Sequence, residues 1–167
     1  AEMAKHASNA FLALSISFAN EVADLCEAAG ADIEAVTAGM KLDRRIGPHA
    51  FLGAGLGFAG GTLGRDVRAL QALGRTGGRA TLMCDAVMGV NDARPSFVAR
   101  QLHELLGGVA GRRTALWGLT YKPGTSTMRR SVALRIMREL SAAGAEITAF
   151  DPLADMRDAE GVIPHFD

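Results

Sequence analysis

A chain of 167 residues can bury a substantial core but is short for two full domains. Its 18 basic residues balance its 18 acidic ones, so no electrostatic footprint points to nucleic acid or an anionic membrane. The longest apolar run, residues 10–18, is broken by two serines and is too short to span a bilayer. No basic segment followed by an apolar core and a small-residue cleavage site marks a secretory leader. Cys26 and Cys84 stand far apart, outside any CxxC or Cys/His cluster, and read as small buried hydrophobes in a reducing cytoplasm. His6, His49, His103 and His165 have neither HxxxH nor HExxH spacing, so no metal site is expected.

Residues 1–29 contain neither Gly nor Pro. Apolar side chains recur at Ala4, Ala7, Phe11, Leu14, Phe18, Val22 and Leu25, and Leu12, Ile16, Ala19, Ala23 and Cys26 form a second stripe. A helix apolar on so much of its circumference is buried on more than one side, which predicts a core helix that also serves as a dimer seam. Gly30 is placed to end it, and Asp32 to cap a short helix through Met40. Lys41–Gly64 lacks periodicity and reads as a long ordered loop, a length that is usually functional inside a compact domain. Asp66 is placed to cap a helix to about Leu73. Arg75–Arg79 is a Gly-rich turn, and 80–106 reads as a long helix that Pro95 should kink or break near Asn91–Pro95.

The pattern changes after Gly107–Gly111. Thr114–Leu119 reads as a strand, Ser131–Ala143 as an amphipathic helix and Glu146–Phe150 as a second strand, which together make a βαβ unit with a parallel sheet. The expected architecture is an α-helical domain over 1–106 and a 107–112 linker. A partial α/β, Rossmann-like parallel-sheet domain follows over 113–167. One βαβ unit cannot form a sheet covered on both faces, and the chain opens inside a helix without Met. It therefore reads as a piece of a larger protein.

Lys5 and Asn9 are four apart and share a helix face. An ammonium and an amide side by side can polarise an alcohol or carbonyl oxygen, each worth ~3 kcal/mol in an organised site. A helical lysine is ordinarily just solvated, and the surrounding string decides the matter. Ala1-Glu2-Met3-Ala4-Lys5-His6-Ala7-Ser8-Asn9-Ala10-Phe11 resembles the AEMxKYxxNxF opening of the central helix of the UDP-glucose/GDP-mannose dehydrogenase family, the nucleotide-sugar 6-dehydrogenases. Ser17 through Glu27 continues the match. Leu42–Pro48 is similar to the LDxRIGP segment, and Gly55–Asp66 to the active-site loop GxGFGGSCxPKD. Trp117–Thr125 resembles GxxFKPxT, Met128–Ser131 the end of TDDxRxS, and Gly144–Pro152 the GAxVxxYDP strand.

The resemblance implies an NAD-dependent oxidoreductase acting on the CH–OH group of a UDP- or GDP-sugar, working as a cytoplasmic homodimer through the helix Ala1–Ala29. It sets Lys5 and Asn9 at the oxidised carbon, and Asp66 to water activation or proton relay. Arg45 would reach the substrate of a partner subunit. Phe51, Leu52 and Phe58 would contact the nucleotide sugar, with Gly57, Gly60 and Gly61 offering backbone donors. Lys122 would contact substrate and Arg129 would approach NAD. The family's GxGxxG-bearing NAD domain is not in this chain.

Several positions depart from the pattern. Thr62 stands where the family has its nucleophilic cysteine, Gly64 replaces proline and Arg65 lysine; Ser126 and Thr127 replace two acids, and Val132 a proline. The family oxidises a primary alcohol to a carboxylate by way of a thioester. A threonine hydroxyl lacks an accessible thiolate's nucleophilicity and should not support that route. A single alcohol–carbonyl oxidation stays open, as does a non-catalytic, dimerising homologue that binds nucleotide sugar.

Overall fold

A computed structural model of the chain describes residues 2–155. The chain forms two compact units, Ala1–Asp92 and Ala93–Asp167. It is mostly helical with one small parallel sheet.

In the first unit, α1 (Glu2–Ala29) is continuous, as its unbroken periodicity requires. Gly30 ends it in the left-handed region at φ 69°, and the Ala31 N–H closes back on the Cys26 carbonyl at 2.8 Å. Helix α2 (Ile33–Leu42) starts where expected, because Asp32 accepts a hydrogen bond from the Glu34 N–H at 3.0 Å. Helix α3 (Leu63–Thr76) begins three residues before Asp66, with Thr62 in the capping position. The assignment of Asp66 as the cap is therefore corrected: it lies within the first turn, and its carboxylate is used elsewhere. The core gathers Ala13 and Ile16 of α1, Phe58, Val67 of α3, and Val87 and Met88 of the next helix.

That helix, α4 (Leu82–Leu106), runs unbroken through Pro95, so the expected break does not occur. Proline in a helix interior costs ~3 kcal/mol through the bond it cannot donate to the carbonyl four residues back. Pro95 is fully buried, and that packing offsets the loss. The compact units divide at Asp92/Ala93, inside α4, and not at 107–112. The reason is packing: Val98, Ala99 and Leu102 of α4 join a cluster with Val109, Ile136 and Leu140 of the second unit.

The second unit contains β1 (Arg113–Trp117), α5 (Val132–Ala142) and β2 (Glu146–Phe150). The strands pair in parallel, with Arg113 opposite Glu146 and Trp117 opposite Phe150. Ser131 caps α5 by accepting from the Ala133 N–H, which trims the expected Ser131–Ala143 helix at both ends. Leu134, Ile136, Met137 and Leu140 point one face of α5 into the core, each worth ~1.5–3 kcal/mol when fully buried. Thr114, Leu116, Ile147 and Ala149 face inward, while their neighbours face out; Trp117 is 87% exposed.

The glycine spacing gives a stability test. A Cβ on Gly74, at the end of α3, would collide with the Thr81 side chain and come within 2.9 Å of the Arg79 carbonyl. Gly89, within α4, has nothing within 4 Å of its missing Cβ. Thermal unfolding should find Gly74→Ala destabilised by roughly 1–3 kcal/mol. Gly89→Ala should be stabilised by roughly 0.5–1 kcal/mol.

Candidate active site

Helix α1 carries Lys5, His6 and Asn9 within its first three turns, and α3 brings Asp66 against His6 and Asn9. The Asp66 side chain is wholly inaccessible to solvent. A buried carboxylate is tolerated only when donors replace water. Asn9 Nδ2 donates to Asp66 Oδ2, across 57 residues of sequence. Arg65 Nε donates to Oδ1 at 3.2 Å, and His6 Nδ1 faces the same oxygen at 3.2 Å, without hydrogen-bond alignment. The Asn9 bond, with help from Arg65 and the field of His6, holds the Asp66 carboxyl below its ordinary pKa despite burial. Asp66 is thus a fixed anion at neutral pH.

Thr62 sits one turn before Asp66, and its carbonyl accepts from the Asp66 N–H at 3.1 Å. Its side chain is exposed and makes no capping bond. Lys5 is exposed one turn before Asn9. The fold therefore brings Asn9, Asp66 and Thr62 together and sets Lys5 on the adjoining turn.

The glycine loop has no helix or strand of its own between α2 and α3. Gly57 and Gly60 adopt φ of 85° and 76°, conformations strained for any residue with a Cβ. The Phe58 ring is buried in the first-unit core with Ala13, Ile16 and Val67, so the residue serves as a core contact. Leu52 is also buried, whereas Phe51 is exposed. Gly57, Gly60 and Gly61 are partly accessible. Arg45 is exposed and forked onto Asp43, with Nε at 3.0 Å and NH2 at 2.6 Å from its two oxygens. That pairing lowers the Asp43 pKa and presets the guanidinium direction.

Lys122 and Arg129 belong to the second unit, and both are exposed. The turn that carries Lys122 is anchored by Asp151, whose Oδ2 accepts the Leu119 and Thr120 N–H groups at 2.8 and 3.1 Å. Arg129 precedes Arg130, the one non-glycine residue at positive φ (61°) among the described residues.

His6 and Arg65 join Asp66 without having been expected there from the sequence. His6 could have been, because it lies three residues from Asn9 on the same helix face. Among the described residues no cluster of His, Cys, Asp and Glu could hold a metal ion, and no helix is long and apolar enough to cross a membrane.

Residues 1–93 match the UDP-glucose/GDP-mannose dehydrogenase family, central domain, and residues 115–164 match that family's UDP binding domain. The chain belongs to this family. It is 42% identical over 164 residues to the UDP-glucose 6-dehydrogenase YwqF of Bacillus subtilis, covering 98% of this chain and 37% of that protein. The UDP-glucose 6-dehydrogenase AglM of Haloferax volcanii is 42% identical over 154 residues, 92% of this chain and 35% of that protein. A UDP-glucose dehydrogenase structure from Pyrobaculum islandicum superposes with a TM-score of 0.90 at 37% identity, over 98% of this chain and 38% of that one. The chain thus spans little more than a third of the length of these relatives.

Asp66 makes stability depend on acid. Its pKa is lower folded than unfolded, so its contribution is full above the unfolded value, about 4, and is lost as pH falls through the folded one. Asp66→Asn should melt below the wild type at pH 7, and thermal scans should find the gap closing below about pH 4.

Proposed function

We propose that the protein is an NAD-dependent oxidoreductase that carries out one oxidation of the CH–OH group of a UDP- or GDP-sugar. The observation that carries this reading is the Asn9–Asp66 contact, which joins the Lys5–Asn9 helix face to the turn bearing Thr62. Asp66 uses one N–H of the Asn9 amide and leaves the second N–H and the carbonyl for a ligand oxygen. Lys5 supplies positive charge beside it, suited to an alkoxide as its proton departs. The loop amides near Gly57, Gly60 and Gly61 are suited to sugar or phosphate oxygens. Arg129 fits an anionic dinucleotide, being exposed just before α5, whose first turn holds no acidic residue. NAD, when bound, supplies the hydride acceptor.

Thr62 limits the outcome. A hydroxyl does not ionise near neutral pH, so the covalent thioester that leads to a carboxylate is not formed, and oxidation stops at the carbonyl. The test is NADH formation by the full-length gene product with a panel of UDP- and GDP-sugars, with product masses recorded. The wild type should release a two-electron product, and Thr62→Cys should shift it to carboxylate. Asn9→Ala should lower kcat by roughly 100-fold. Carboxylate from the wild type would overturn the single-oxidation reading, and sugar binding without NADH would make the protein a binding module.

The same reading includes a homodimer through α1. Phe11, Phe18 and Leu25 stand exposed at seven-residue spacing, a continuous apolar line along the helix. Beside it lies an apolar groove of about 260 Å³, lined by Ala7, Phe11, Leu14, Leu70, Met83 and Val87 among others. Phe11→Glu with Phe18→Glu should halve the particle mass in light scattering, because charge on that line opposes burial.

A further inference from the structure

We propose that Asn20 and Asn91 are positioning residues that clamp the glycine loop from two different helices and so set the backbone that receives the nucleotide sugar. The proposal rests on the functional reading above.

The loop needs such a clamp. Its glycines at positive φ widen the conformations open to the free chain, and the loop has no strand or helix of its own to hold it. Asn91 of α4 meets both polar groups of Phe58: the Phe58 N–H donates to Oδ1 at 2.7 Å, and Nδ2 donates to the Phe58 carbonyl at 3.2 Å. One side-chain amide thus replaces a neighbouring strand. Asn20 of α1 accepts the Gly55 N–H on its Oδ1 at 2.7 Å. The two anchors bracket Leu56-Gly57, and Gly57 makes the turn between them at φ 85°.

Both asparagines are buried, Asn20 completely. The Asn20 Nδ2 has no partner among the described residues, so this side chain carries a desolvated donor. A leucine of similar size would avoid that cost, and packing alone therefore gives no reason for asparagine. The bond to Gly55 does. Pro95 adds a related feature, because it lacks the N–H that would pair with the Asn91 carbonyl. The clamp residue thus stands where the α4 ladder omits a bond.

A backbone held before the ligand arrives loses less entropy on binding. Loss of either anchor should therefore weaken binding more than it slows the chemistry, since neither asparagine contacts the Lys5–Asn9–Asp66 group.

The experiment uses Asn20→Leu, Asn91→Leu and Asn20→Asp in the full-length gene product, with UDP-glucose as probe. Amide hydrogen exchange at Gly55 and Phe58 should be slow in the wild type and at least about tenfold faster in the matching leucine variant. KM for UDP-glucose should rise about tenfold or more in both leucine variants while kcat falls far less. Asn20→Asp keeps the acceptor and should exchange more slowly at Gly55 than Asn20→Leu does, although the buried carboxylate costs overall stability. Wild-type exchange and KM in the leucine variants would overturn the proposal, as would a loss confined to kcat. If the leucine variants unfold, Gly55→Pro removes the donor from the loop side: a raised KM supports the clamp and an unchanged KM overturns it. A wild type that binds no UDP- or GDP-sugar would instead overturn the functional reading, while the exchange rates would still decide whether the clamp exists.

Discussion

The first unit is organised around a carboxylate that has left water. Asp66 can be buried as an anion only because Asn9 and Arg65 donate to it and His6 faces it. That requirement fixes the approach of α1 to α3, since Asn9 and His6 come from one helix and Asp66 from the other. The hydrophobic cluster below, with Ala13, Ile16 and Val67, packs in the register that this polar contact allows. Apolar burial supplies most of the driving force but is indifferent to small shifts along a helix. A directional bond to a buried charge is not. The same contact that sets the packing also holds an amide in place beside Lys5, so structure and proposed chemistry share one constraint.

Much of this was legible in the sequence, and the parts that were not share a cause. The long first helix, the Asp32 cap and the βαβ order follow from periodicity and local side-chain chemistry, which operate over a few residues. For Asp66 the sequence offers both a helix cap and, through the resemblance, a proton-handling role, because an acidic residue near a helix start usually is a cap. Its partner Asn9 lies 57 positions away, and no local pattern encodes that contact. Phe58 was assigned to the ligand through its motif, yet its ring completes the core. The family motifs mark segments but do not say which atoms of each residue face inward. Gly107–Gly111 looked like a boundary because glycines interrupt the helix there, while the cluster around Val98 and Leu102 carries the second unit back into α4.

The start of α3 tolerates a wide choice of residue before it. Thr62 occupies the position before α3 at φ −98° and ψ −68°, on the helical side of the map, and the helix forms without a side-chain cap. Its side chain is exposed, so the packing does not depend on it. Reactivity at this point is therefore separable from folding, unlike at Asp66, where charge, burial and helix placement are bound together.

Trp117 is the single tryptophan of the chain. It stands 87% exposed on the outer face of the sheet, across from Phe150 in the parallel pair. Indole emission shifts to the blue when water leaves the ring, so one native chromophore reads the state of that face alone. Whatever packs there, whether more of the same polypeptide or another molecule, would announce itself optically without any label.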